Sequence, residues 1–320
     1  MTTKPCLLVT DPGVIISASR RTDIPQYYAR WFAERRKVGL AEFRTAFGTA
    51  GRVSLLRDDV LGYLFWTKNA APFHDQLAGL RAEGIPYAFQ YTVNGYGPPL
   101  EAHIPALSFV LADFLRVVRG LPDPRCAQWR YDPIVIADGF DLRYHLRRFC
   151  EIAAALAGAT RVVNTSIVEP YVKTIRRVGA VVPTAQYRKL DPVRNPTAAR
   201  RHPDLRQVGH EAAGRLVTEL RGIAAEHGME LRTCCNPELA LSPAQCCGAE
   251  LFAGYGPVLE GRAARLASGP SRASCRCLKS VDIGMDNTCL GGCRYCYVVT
   301  SHELAVSNFR RHQPAGPSLR

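Results

Sequence analysis

Near the end of the chain three cysteines stand close together as Cys289-x3-Cys293-x2-Cys296, with Gly291 and Gly292 inside the run and Tyr295 just before its last member. Three thiolates at this spacing can hold three corners of a cubane 4Fe-4S cluster, and the two glycines let the backbone wrap round it without Cβ clashes. The fourth iron then lacks a protein ligand. A zinc site is the competing reading. Zinc, however, is usually held by four Cys or His in two paired knuckles, whereas these three stand together.

Six further cysteines fall in the C-terminal third as Cys234 and Cys235, Cys246 and Cys247, and Cys275 and Cys277. A choice of four among them would suit a second site, either an iron–sulfur cluster or zinc; the competing reading is buried inert thiols. Cys234 ends one predicted strand and Cys277 precedes the next, which places them ~15 Å apart at ~3.3 Å per residue along parallel strands. They converge only if the segment before Val281 crosses the mouth of the sheet.

A second group of candidates is polar and sits at the ends of predicted strands. Arg20, Arg21 and Asp23 follow the first, Lys68 and Asn69 the third, and Asn94 and Tyr96 the fourth, while Arg130 and Asp132 end the fifth and Asn164 and Ser166 lie on the sixth. Catalytic groups of a parallel α/β barrel gather at the C-terminal ends of its strands, so the recurrence counts for more than any one member. Individually each has a structural alternative: Asp23 before Pro25 suits a helix start, and Arg130 suits a pair with Asp132. Four cations at one mouth, Arg20, Arg21, Lys68 and Arg130, would repel one another without counter-charge, which points to an anionic or nucleotide-like small substrate; Asp23 and Asp132 offset part of that argument.

The elements that must position these groups are short β-branched or aromatic runs alternating with longer amphipathic stretches. Strands are predicted over Val14 to Ser19, Leu40 to Ala46, Leu61 to Thr67, Tyr87 to Val93, Gln128 to Ile136, Arg161 to Ile167, Glu230 to Cys234 and Val281 to Gly284. Helices are predicted over Pro25 to Lys37, Pro72 to Glu83, Ile104 to Arg119, Leu142 to Leu156 and Gly209 to His227, with Pro25 and Pro72 suited to a first turn. Eight such units predict an α/β fold of the (β/α)8 or TIM-like barrel type, a single barrel-like domain over 1–300 with a cysteine-rich segment at 231–297 and a tail at 301–320. The Pro-, Arg- and Asn-rich stretch from Pro183 to Pro203 reads as a lid or binding loop.

Composition bounds these readings. The chain of 320 residues is 47% hydrophobic and carries 41 Lys plus Arg against 28 Asp plus Glu, a net charge of +13. That is enough apolar material for a sizeable core, which excludes a small scaffold or a disordered chain. No run approaches the ~18 apolar residues of a membrane span, and the opening residues lack a secretory signal, so a cytoplasmic, reduced protein is expected. There, twelve cysteines read as metal ligands rather than disulfides. The basic balance admits nucleic acid as a partner, but the Arg residues are scattered, which favours a generally basic surface.

The Cys-x3-Cys-x2-Cys pattern with its aromatic resembles the cluster-binding loop of radical S-adenosylmethionine (SAM) enzymes. That resemblance implies SAM as a cofactor whose amino and carboxylate groups take the open iron, Tyr295 near its adenine, and Asn164 and Ser166 among its donors. In that superfamily the loop follows the first strand of the barrel; here Val281-Asp282-Ile283-Gly284 precedes it at the end of the chain, so the order looks permuted. The whole of residues 14 to 300 is similar to an uncharacterised bacterial family, the domain of unknown function 1848. The likeness is carried by Ile15-Ile16-Ser17-Ala18-Ser19-Arg20-Arg21-Thr22-Asp23-Ile24-Pro25, Phe65-Trp66-Thr67-Lys68-Asn69, Trp129-Arg130-Tyr131-Asp132-Pro133, Cys275-x-Cys277 with Asp282-Ile283-Gly284, and the triad. It implies Cys234, Cys246, Cys275 and Cys277 as the four of the second site. The expected activity is reductive cleavage of SAM to a 5′-deoxyadenosyl radical acting on a small molecule, with an electron donor such as flavodoxin or ferredoxin and sulfur insertion if a second cluster is present. The alternative is a SAM-independent iron–sulfur redox or nucleic-acid-binding protein.

Overall fold

The computed structural model describes residues 13–45, 48–193, 195–272 and 274–320. In chain order the strands are β1 (Val14–Ala18), β2 (Leu40–Arg44), β3 (Ala50–Ser54), β4 (Val60–Thr67), β5 (Tyr87–Thr92), β6 (Ala127–Ile134), β7 (Val162–Ile167), β8 (Glu230–Thr233), β9 (Ser242–Pro243) and β10 (Val281–Asp282). Eight of them form one parallel sheet in the order β10-β1-β4-β5-β6-β7-β8-β9. The central strands read as near-continuous apolar runs because both faces are covered, as a parallel sheet requires.

The two faces are covered by different things. Tyr63 and Phe65 of β4, Tyr91 of β5, and Trp129 and Tyr131 of β6 pack edge-on or tilted against Phe32, Phe73, Phe114 and Phe149 of the crossover segments. Helices Ala29–Val38, His74–Ala82, Leu107–Arg119, Leu142–Leu156 and His210–Glu226 supply that outer layer. Ile15, Leu64, Ala88 and Trp66 point to the other face, where they meet a smaller cluster built from Cys246, Cys247, Leu251, Phe252 and Cys277. The segment after β9 thus lies across the inner face of the sheet.

The sheet does not close into the expected barrel. Its outermost strands, β9 and β10, are two residues long and do not pair with each other. Two-residue strands offer too few ladder bonds to zip a seam. The stretch from Leu40 to Ala46, expected as a strand of that barrel, instead pairs antiparallel with β3 as a separate hairpin, Leu40 opposite Ser54; Ala46 itself lies outside the described residues. β1 pairs directly with β4, and the eighth strand of the sheet is β9, at the opposite edge beside β8. What holds from the permuted order is its edge: β10, last in the chain, runs parallel beside β1, Ile16 opposite Val281 and Ser17 opposite Asp282.

Pro183 to Pro203 does not stand off as a lid. It carries the short helix Pro196–Arg201, and Gln186 and Tyr187 bridge to Ile136 and Gln207. The expected tail is likewise folded: helix His302–Arg311 is followed by a stretch whose Leu319 is fully buried. No helix among the described residues is long and apolar enough to cross a membrane.

Candidate functional site

The cysteine triad hangs from β10. Asp282 ties that strand to the end of β1, accepting from Ser17 Oγ (3.1 Å), Ser19 Oγ (2.6 Å) and the Arg20 N–H (2.9 Å), and from the Gly284 N–H (3.0 Å) on its own side. Position 284 admits only glycine, since a Cβ there would stand 1.9 Å from Ser19 Oγ. Beyond it Thr22 Oγ1 lies 2.6 Å from Thr288 Oγ1 and accepts from the Met285 N–H at 3.1 Å, while Tyr28 Oη donates to Thr288 O at 2.8 Å. Asn287, at φ 61°, turns the loop; its side chain accepts from the Thr300 N–H, and its carbonyl from Asn308 Nδ2 of the C-terminal helix.

Within this frame Cys289, Cys293 and Cys296 are half-buried free thiols. The position a Cβ would take at Gly291 is 3.6 Å from Cys289 Sγ and 3.7 Å from Cys293 Sγ, so the missing side chain leaves a gap between the two sulfurs. Gly292 has φ +63°, and a Cβ there would be 2.4 Å from His103 Cδ2. Burial pushes the Cys289 thiol up to about 12, against a hydrogen bond from the Asp23 backbone N–H. Burial also raises Cys293, offset by the Lys68 ammonium. Among the described residues no three His, Cys, Asp or Glu are gathered about one point closely enough to hold a single metal ion.

The sequence from residue 15 to 298 matches the family model described as Domain of unknown function (DUF1848). The chain belongs to that family. No curated protein matches it. In this DUF1848 member the matched span takes in every strand of the main sheet except the first residue of β1, as well as the triad.

Of the strand-end polar residues Asp23 and Lys68 lie nearest the triad, and the charged ones are paired with one another or with neighbouring carboxylates. Asp23 accepts from Thr67 Oγ1 (2.7 Å), the Lys68 N–H (2.8 Å) and the Gln26 N–H (3.1 Å), capping the short helix Ile24–Tyr27. Burial raises its pKa to about 6 despite those bonds. Arg20 and Arg21 face Asp282 at 3.8 and 3.4 Å, and Arg21 also reaches Asp286 at 3.1 Å. Lys68 Nζ is 2.7 Å from Glu101 Oε1, and Arg130 pairs with Asp132. Each of the four cations therefore has its carboxylate, and the charge argument for an anionic substrate loses its basis. Asn69 accepts from the Ala71 N–H at 3.0 Å, a local cap. Ser166 donates to Asp132.

Tyr295 is nearly buried, its hydroxyl donating to Glu101 and accepting from Asn94 Nδ2 at 3.0 Å, with Lys68 Nζ 5.6 Å above the ring. Asn164 lies deeper, fully buried on the inner face, where its Nδ2 donates to Gln128 Oε1 (2.8 Å) and Gln90 Oε1 (3.2 Å). Cys234, Cys246, Cys275 and Cys277 converge on that same face, because residues 244–278 cross it; Cys235 joins them.

Sequence reasoning missed Glu101, Gln90, Gln128 and Arg177. The two glutamines carried a signal: uncharged but polar, they sit on predicted strands at positions of the same alternation as Trp66 and Leu64. Arg177, on helix Val172–Gly179, carried none. Its field reaches Cys296 and Cys293, burial lowers its pKa, and its Nη2 is buried with no hydrogen-bond partner.

Proposed function

We propose that this protein is a radical SAM-type iron–sulfur enzyme acting on a small molecule, with Cys289, Cys293 and Cys296 as the ligands of a 4Fe-4S cluster. The donor set fits: three soft sulfurs on one loop, with a Cβ-free gap at Gly291 between two of them. Once bound and reduced, the cluster would supply one electron to the sulfonium of SAM, releasing methionine and a 5′-deoxyadenosyl radical.

The observation that carries this reading is Arg177. A buried guanidinium nitrogen without a partner, on a side chain within the electrostatic range of Cys293 and Cys296, is costly, and a planar donor of this kind suits a carboxylate such as that of SAM. The other cations of the mouth are already occupied. Asp23 orients the strand-end turns through its cap and its bonds to Thr67 and Lys68, and its N–H reaches the Cys289 sulfur, the kind of outer hydrogen bond that tunes a cluster's potential. Trp66 walls the mouth between the Arg20 and Arg130 guanidiniums, which lie 5.9 and 5.3 Å from its ring. An apolar wall there limits water near a reactive radical.

The test is chromatography for 5′-deoxyadenosine after anaerobic reconstitution, dithionite reduction and addition of SAM, with cell extract as a source of substrate. Its formation, and its loss in Cys293→Ala, is the expected result. A reducible cluster that yields none would leave the SAM-independent redox or nucleic-acid-binding reading instead.

A further inference from the structure

On the inner face of the sheet five thiols from three separated segments gather into a loose ring. Cys234 Sγ and Cys246 Sγ are 4.0 Å apart. Cys246 and Cys277 belong to one buried cluster on this face, with Cys234 and Cys275 packed against it, and Cys235 is buried next to Cys234 in the chain. We propose that Cys234, Cys235, Cys246, Cys275 and Cys277 supply the thiolates of a second iron–sulfur centre, whose several irons and inorganic sulfides spread over more than the one point a single zinc ion needs.

Packing alone does not account for this arrangement. A buried cysteine acting as a small hydrophobe turns its sulfur to apolar neighbours. Here the Cys234 and Cys246 sulfurs face one another, and two guanidiniums are aimed at them: Arg130 Nη1 lies 3.0 Å from Cys246 Sγ, and Arg272 Nη2 3.3 Å from Cys234 Sγ. Positive donors at that range stabilise thiolate, the form that binds metal.

The backbone is shaped to bring the sulfurs together. Cys234 continues the ladder of β8 through its N–H to Thr165 O (2.8 Å). In an extended chain the next side chain would point to the opposite face. Cys235 instead has φ 61°, a left-handed conformation uncommon outside glycine, and its sulfur joins the same ring. Bonds independent of the thiols hold the other two segments: Leu278 N–H to Cys247 O (2.8 Å), Gln245 Nε2 to Arg276 O (2.9 Å) and Cys275 N–H to Arg272 O (3.1 Å). Cys247 is the internal control. It is as buried as its neighbour, but it bonds Ser280 and stands outside the ring.

This inference does not depend on the reading of the triad, and its test separates the two. The full chain carrying Cys289→Ala, Cys293→Ala and Cys296→Ala is purified anaerobically from medium containing both iron and zinc, and metal and acid-labile sulfide are measured. Iron with matching acid-labile sulfide should remain, and zinc in its place overturns the assignment. Cys247→Ser added to that background should keep it, and Cys234→Ser with Cys275→Ser should lose it. A folded triad variant without stoichiometric metal overturns the proposal, as does metal that survives the ring substitutions. Should the ring variants not fold, X-ray absorption on the metal of the triad variant decides. A shell of sulfur alone supports the ring, and nitrogen or oxygen ligands overturn it.

Discussion

Arg177 and His145 show how single buried groups report on the molecule. A charge-assisted hydrogen bond is worth about 1.5–3 kcal/mol, so Arg177→Gln should weaken SAM binding to the reconstituted protein roughly ten- to a hundredfold while leaving iron content unchanged. Calorimetric titration with SAM checks this; equal affinity would remove Arg177 from the cofactor's contacts. His145 is fully buried between Tyr131 Oη (2.8 Å) and Val135 O (3.0 Å), and burial lowers its pKa to about 4. The folded state binds a proton less readily than the unfolded one, so stability present above about pH 6.5 is lost as pH falls toward 4. Between pH 7 and 5.5 this group alone should cost about 1 kcal/mol. Urea unfolding at the two pH values, compared with His145→Gln, isolates it: the drop should be smaller in the variant by that amount. At this scale cysteine spacing was legible because ligand geometry is local. Arg177 was not, because a lone Arg on a helix gives no sign of the loop that folds over it.

At the scale of elements, the site depends on how a two-residue strand is held. β10 has almost no ladder of its own, so Asp282 and the Cβ-free contact of Gly284 with Ser19 take its place. Gly284→Ala would force a methyl to within 1.9 Å of Ser19 Oγ. Relief requires moving the loop, at a cost of about 1–3 kcal/mol, and the thiols move with it. Thermal unfolding should show the lower midpoint, and the variant should take up less iron on reconstitution; full iron at wild-type stability would mean that Asp282 alone sets the loop. The strands around this point were readable from β-branched and aromatic runs, since seven of the eight expected ones lie in the main sheet. Leu40 to Ala46 went astray because its local pattern suits a strand in either setting. Its pairing with Ala50–Ser54 is decided by the short return of the chain rather than by composition. β9, with Pro243 at its end, carries no strand signal at all.

The whole molecule is an open parallel sheet with helices outside and a cysteine-rich segment inside, and its C-terminal stretch fastens the far edge of the outer layer. Trp31 Nε1 donates to Gly316 O (3.1 Å), Arg35 Nη2 to Ala315 O (2.7 Å) and the Glu42 N–H to Pro317 O (2.8 Å), and Leu319 is fully buried. These contacts tie helix Ala29–Val38 and β2 to residues 315–319. The triad loop is held mainly by Asn308 of the preceding helix, Asp282 and Thr22, and Tyr28 links it to the outer layer, its hydroxyl donating to Thr288 O and its ring meeting His312 edge-on. Little in the sequence of that stretch announced it, because its contacts are mainly backbone carbonyls, which any residue supplies. Deleting residues 312–320 should therefore destabilise the outer layer without emptying the metal centre. Losing the burial of one leucine costs about 2 kcal/mol, and the freed donors, partly rescued by water, add about 1 kcal/mol or more. A fall in the thermal midpoint on the order of 5–10 °C is expected. Hydrogen exchange should quicken first in helix Ala29–Val38 and the β2–β3 hairpin, while iron content and the cluster spectrum stay at the level of the full chain. Loss of iron in step with stability would instead mean that the outer layer and the triad loop unfold as one unit, coupled through Tyr28.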